Sequence, residues 1–153
     1  MRDSIGGSVT LVIIVVFIVI ALGYMAFNVN YTKAFRMKDK IITIYNDYQG
    51  KCESKCKQEI KDYANQIGYS SGGNLKCPSD GEYSVEDGFK NVDNLYCIGK
   101  VPVFKDGTEG AISDLSNRAY YYKIVTKIDV QMPIINNVLN FRFFYLSGDT
   151  QTY

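Results

Sequence analysis

Apolar residues are not spread evenly along this chain. They form one unbroken block, then a helical stripe, then strands. From Val9 to Phe27 there is no charge and almost no polar atom over 19 residues. At a rise of about 1.5 Å per residue, such a helix spans roughly 28 Å, close to the hydrocarbon thickness of a bilayer. Past the block, no Gly or Pro interrupts the chain from Met25 to Gln49. Positions 31, 34, 35, 37, 41, 42, 44, 45 and 48 carry apolar or aromatic residues, a spacing of three and four that predicts an amphipathic helix. The two segments therefore read as one helix running to about Tyr48, with Gly50 as its C-cap. A second helix fits Glu53 to Ile67, with Ile60, Tyr63, Ala64 and Ile67 on one face and Gly68 as the stop.

The last third reads as strands. Leu95 to Phe104 is a short apolar run ended by Lys105-Asp106-Gly107. Arg118 to Gln131 alternates, with Tyr120, Tyr122, Ile124, Thr126, Ile128 and Val130 on one face. Lys123, Lys127, Asp129 and Gln131 fall on the other, as in a half-buried strand. Met132 to Asn137 breaks the pattern, and Asn140 to Leu146 forms a further strand. Consecutive strands with a short connection pair most simply as antiparallel neighbours. Ser70–Asn74 and Cys77–Gly81 read as loops. The expected class is α+β: a long N-terminal helix, transmembrane then amphipathic, with a second short helix and a small antiparallel sheet. The divisions are a tail at 1–8, a span at 9–27, its amphipathic continuation at 28–50, and an external domain at 51–153.

Three readings compete for the apolar block. A core helix would need a larger remainder to wrap it. A cleaved secretory signal fits the small-x-small form of Ala21-Leu22-Gly23, but the apolar run continues through Tyr24-Met25-Ala26-Phe27. An uncleaved anchor fits best.

The chain has 153 residues, 17 Lys and Arg, 16 Asp and Glu, and a formal net charge of +1. That balance argues against a nucleic-acid binder. It has no His, which removes the commonest general base and metal ligand. No catalytic residue, cofactor or metal site is expected, and the chain is read as a non-enzyme. Ser54-Lys55 and Ser113-Asp114 read as ordinary solvated positions. Asp80, Glu82, Glu86 and Asp87 could offer oxygen ligands to calcium, but they do not match an EF-hand loop and read as a solvated acidic loop.

Four cysteines, Cys52, Cys56, Cys77 and Cys97, lie beyond the span. Their spacing lacks the paired knuckles of a zinc site, so two intramolecular disulfides are expected. Cys52 and Cys56 would share one face at the start of a helix. Each then reaches a later cysteine more naturally than the other, so both are expected to pair with Cys77 and Cys97, in an order left open.

Orientation pits two rules against each other. Lys33, Arg36, Lys38 and Lys40 follow the span and, by charge bias, would lie in the cytoplasm. Disulfides belong outside. The cysteines decide the expectation: N-terminus cytoplasmic, C-terminal domain extracellular, single-pass.

This layout resembles pilin-like proteins, in particular the TadE-like minor pilins of tight-adherence pilus systems. The resemblance rests on Gly6-Gly7-Ser8-Val9-Thr10 leading into the apolar run. At the other end it rests on Val130-Gln131-Met132-Pro133-Ile134-Ile135, Phe141-Arg142-Phe143-Phe144 and Ser147-Gly148-Asp149-Thr150. It implies a structural component of a surface pilus or secretion assembly, with lipid and other pilin-like subunits or envelope proteins as partners. It also implies a candidate processing junction at Gly7-Ser8. The usual Glu at the fifth residue after such a junction is absent, and Val12 stands there. Tyr120, Tyr121 and Tyr122 are candidate subunit contacts. The alternative is a membrane-anchored extracellular ligand-binding or sensor module.

Overall fold

The computed structural model describes residues 2–79, 85–104, 118–128 and 144–151. One helix, α1 (Arg2–Asp47), takes up 46 residues without a break. It ends because Gln49 and Gly50 both turn left-handed, with φ of 50° and 73°. Gly50 N–H then reaches the Tyr45 carbonyl (2.9 Å) and Gln49 N–H the Asn46 carbonyl (3.0 Å). This is a Schellman closure in which Gln49, not Gly50, holds the first left-handed position. The second helix, α2 (Ser54–Ile67), closes the same way at Gly68, whose φ is 61°. Tyr69 N–H bonds the Ala64 carbonyl at 2.9 Å, and Gly68 N–H bonds that of Asn65 at 3.2 Å.

Four strands follow: β1 (Glu86–Val92), β2 (Tyr96–Phe104), β3 (Arg118–Ile128) and β4 (Phe144–Asp149). They form one sheet in the order β1-β2-β3-β4, and every neighbour is antiparallel. The fold is α+β. Strand β1 was not expected from sequence. It joins β2 through a tight turn at Asp93 and Asn94, both at positive φ (52° and 55°). Leu95 N–H closes that turn on the Val92 carbonyl at 2.9 Å. The Asn91 side chain braces it, accepting from Asn94 N–H and donating to the Leu75 carbonyl. Strand β4 also differs from expectation: it extends to Asp149 rather than stopping at Leu146. Residues 129–131 and 140–143, expected as strand, lie outside the described residues, as do Lys105–Gly107, the break at Met132–Asn137 and Ser113-Asp114.

The core lies where the second half of α1 crosses the sheet. Ala34, Met37, Ile41, Ile44 and Tyr45 of α1 are buried with Cys56, Ile60 and Ala64 of α2 and with Tyr96, Ile124 and Ile128 of the sheet. The two helices cover the same sheet face. The Thr126 hydroxyl, on that face, donates to the Ala34 carbonyl at 3.3 Å. Strand β4 comes so close to α1 that a Cβ on Gly148 would lie 2.7 Å from Ile42 Cδ1.

The opposite face was expected to be open, with Lys127 in solvent. It is instead covered, and Lys127 is only 5% exposed. The chain after α2 passes around the end of the sheet and straps across this side. The Tyr69 hydroxyl donates to the Lys127 carbonyl (3.0 Å) and accepts from its N–H (3.2 Å). Farther along, Leu75 buries against Cys97 and Val125. The Tyr145 hydroxyl bonds the Lys76 carbonyl at 3.0 Å. Period two correctly divides the side chains of β3 between two faces. It does not reveal that a strap from earlier in the chain covers the second one.

Candidate membrane anchor and assembly face

Among the described residues, one helix is long and apolar enough to cross a membrane, and none of its apolar window is buried by the rest of the chain. Phe17 is 71% exposed and Leu11 64%. So large an uninterrupted apolar surface marks an interaction with lipid or with other apolar helices. A helix is the form this segment must take in lipid, because it satisfies every backbone group internally. The candidate junction, Gly7-Ser8, lies within α1, and the space around Gly7 is open.

The domain takes hold of α1 about two turns past the apolar block. Two of the basic residues that follow the apolar block, Lys33 and Lys40, reach α2 at this junction. Lys33 Nζ donates to the Gly68 carbonyl at 3.1 Å, where it meets the negative C-terminal end of α2. Lys38 pairs with Asp39 (3.3 Å) and lies 4.4 Å from the Phe35 ring centroid. Lys40 pairs with Glu59 of α2 at 3.4 Å. Exposed pairs of this kind each contribute well under about 1 kcal/mol.

All four cysteines are in disulfides, but not crosswise. Cys52 bonds Cys56, and Cys77 bonds Cys97. The expected pairing fails because Cys52 precedes α2, whose N-cap is Glu53. Cys52 is therefore free of helical geometry and folds back onto its neighbour. The two bonds have unequal reach. Cys77–Cys97 fastens the strap to β2 across a sequence separation of 20, whereas Cys52–Cys56 spans 4. By the loop-entropy relation, replacing both members with Ala should cost about 3 kcal/mol for the first bond and about 2 kcal/mol for the second. Urea unfolding of the two double variants should show the larger loss for Cys77→Ala/Cys97→Ala. Two disulfides in the domain fit an oxidising compartment.

The three candidate contact tyrosines do not form one platform. Tyr122 faces α1 and packs against Tyr45 with ring centroids 5.7 Å apart. Tyr120 shares its face and takes Lys100 Nζ over its ring at 3.7 Å. Tyr121 alternates to the other face, opposite Val101. All three are half-buried. Of the acidic cluster, Glu86 and Asp87 belong to β1. Asp80 and Glu82 lie outside the described residues.

Sequence spacing did not reveal the tyrosine pair inside the domain. The Tyr45 and Tyr96 hydroxyls lie 3.2 Å apart, both buried, with rings edge to face. Burial pushes the Tyr96 phenol well above its ordinary range, and the neighbouring Tyr45 adds to this. Burial also raises Tyr45, partly offset by the hydrogen bond to Tyr96. A raised folded-state pKa favours the protonated form. The stabilisation is therefore fully present below the unfolded value near 10 and is lost as pH rises above it. Stability should fall by up to about 1.4 kcal/mol per pH unit for each tyrosine in that range. Denaturation at stepped alkaline pH should show this slope, and Tyr96→Phe should flatten it.

Beside this pair lies a cavity of about 420 Å³, lined by Tyr45, Cys52, Lys57, Lys90, Asp93 and Tyr122 among others. It joins the end of α1, the start of α2 and the β1–β2 hairpin. No sequence motif spans those three places. Comparison with protein-family models, with curated proteins and with solved structures returned no match.

Proposed function

We propose that this chain is a non-enzymatic, single-span envelope protein, a structural subunit of a pilin-like surface or secretion assembly similar to TadE-like minor pilins. One observation carries the reading. The lipid-facing and domain-bearing halves of α1 are one unbroken helix, and its second half is part of the domain core. Neighbours that pack through their spans would thereby fix the placement of their external domains, as a structural subunit requires. The N-terminus lies in the cytoplasm and the domain outside, where its two disulfides persist. The basic residues after the span oppose charge bias, but two of them, Lys33 and Lys40, have partners on α2. Partners are lipid and other pilin-like subunits or envelope proteins. Nucleic acid is not among them.

Single cysteines placed along the span, at Ile13 and Ile20, should give oxidative cross-links between copies or to other small membrane subunits in native membranes. Protease added to intact cells should remove the domain. Monomers at every position would sink the subunit reading, and a protected domain would reverse the orientation. A neighbouring secretion ATPase and inner-membrane platform genes would support the assembly.

The second reading is an anchored extracellular binding or sensor module. The cavity of about 420 Å³ favours it, with Lys57, Lys90 and Asp93 around an aromatic wall. A small molecule retained stoichiometrically by the intact chain and lost in Tyr122→Ala would favour this module over the subunit.

A further inference from the structure

We propose that the face of α1 bearing Phe27, Tyr31 and Phe35 docks on the lipid headgroup layer, and so sets the depth and tilt of the anchor. This deepens the membrane-anchored reading above and rests on it.

The three residues stand at i, i+4 and i+8, one above another. Their rings stack with centroids 6.2 Å and 6.4 Å apart. Tyr31 is 40% exposed and Phe35 42%, outside the apolar block and away from the domain core, which begins at Ala34. At 100° per residue the ladder continues the arc of Phe17 and Tyr24. Its surface is therefore continuous with the exposed face of the span.

Height and side-chain direction single out lipid as the occupant. Phe35 lies eight residues past Phe27, or about 12 Å along the axis. The headgroup layer outside the hydrocarbon is roughly 5–8 Å thick. Helical side chains lean back toward the N-terminus, by about one turn for an aromatic ring. On this helix that direction is toward the membrane, so the rings of Tyr31 and Phe35 come down to headgroup depth when the helix tilts to this side. Tyr31 suits that zone, with an apolar ring and a polar hydroxyl, and the Phe27 and Phe35 rings extend its apolar surface to either side. At the top of the ladder the Lys38 ammonium sits 4.4 Å from the Phe35 ring, and its pairing with Asp39 and its packing beside Gly148 mark where the domain begins.

The chain contains no Trp, so a single introduced Trp is a clean probe. The full chain with Phe17→Trp, Tyr31→Trp, Phe35→Trp or Tyr48→Trp would be placed in vesicles of zwitterionic and anionic lipid, brominated either near the headgroup or near the chain end. We expect Phe17→Trp to be quenched by deep bromine. Shallow bromine should roughly halve the emission of Tyr31→Trp and Phe35→Trp. Tyr48→Trp should respond only to aqueous acrylamide. If Phe17→Trp escapes deep bromine, the anchored reading fails and takes the proposal with it. If Phe17→Trp is quenched as expected, two results overturn the proposal alone. One is acrylamide access at Phe35→Trp equal to that at Tyr48→Trp. The other is shielding from both quenchers, which would mean that a protein neighbour covers the ladder.

Discussion

A chain that begins at Asn28 should leave the membrane fraction and keep its folded domain. The expectation follows from where α1 makes its contacts. Residues of the apolar block bury nothing inside the domain, and the buried positions of α1 begin at Ala34. Removing residues 2–27 therefore deletes no core side chain. What it deletes is the transfer of more than ten large apolar side chains from water into lipid, on the order of 20 kcal/mol. That quantity is the difference between an integral protein and one that carbonate or salt releases. The shortened chain should show no free thiol without reductant, because both disulfides lie far from the cut. Its urea midpoint should match that of the full chain in detergent. An integral fraction that persists after truncation would show that another segment anchors the chain. Loss of cooperative unfolding would show that the first half of α1 supports the domain as well.

The elements that sequence reveals are those whose pattern is local. The 19-residue apolar block needs only its own length to be recognised. Helix α2 shows its stripe and its Gly68 stop within one stretch of chain. Strand β3 carries enough alternation to place Thr126 and Ile124 on one face together, and the structure shows that face against α1. Strand β1, Glu86–Val92, has no such pattern. It is charged at one end and bulged where Asp87 and Gly88 turn to positive φ (63° and 73°). It exists because β2 offers it an edge to pair with, and that edge lies across a turn. A turn at Asp93-Asn94 was the one local signal available, since both residues tolerate the left-handed region.

Longer-range features were correspondingly hidden. The burial of Lys127 depends on Tyr69 and the strap that follows it, more than fifty residues earlier. The Cys52–Cys56 bond depends on whether Cys52 belongs to α2, a boundary question of two residues. The Tyr45–Tyr96 pair and the neighbouring cavity combine the end of α1 with the β1–β2 hairpin, and neither stretch identifies the other. The exposed ladder of Phe27, Tyr31 and Phe35 shows the converse. Its helical spacing is visible in sequence, but there it merges with the core stripe. Only the packing of Ala34, Met37 and Ile41 separates the two faces.

That separation makes the strongest single-residue prediction. Ile41→Asp should abolish cooperative unfolding of the domain, whereas Thr43→Gln, two residues away, should leave it unchanged. Ile41 is fully buried in the cluster that unites both helices with the sheet. A carboxylate there has no partner and displaces apolar contact, a cost on the order of 4 kcal/mol or more. A small domain commonly has only about 5–15 kcal/mol in total. Thr43 is exposed, and its hydroxyl merely bonds back to the Asp39 carbonyl at 2.9 Å. Replacing it with Gln removes a bond that water can substitute, so the change should stay within about 0.5 kcal/mol. Both variants keep the span and should still sediment with membranes. Tyrosine near-ultraviolet circular dichroism against urea would read the domain alone. A cooperative transition for Ile41→Asp within about 1 kcal/mol of the parent would mean that α1 is not part of the domain core. The anchor and domain would then be joined by a tether, and the rigid coupling on which a structural subunit depends would be lost.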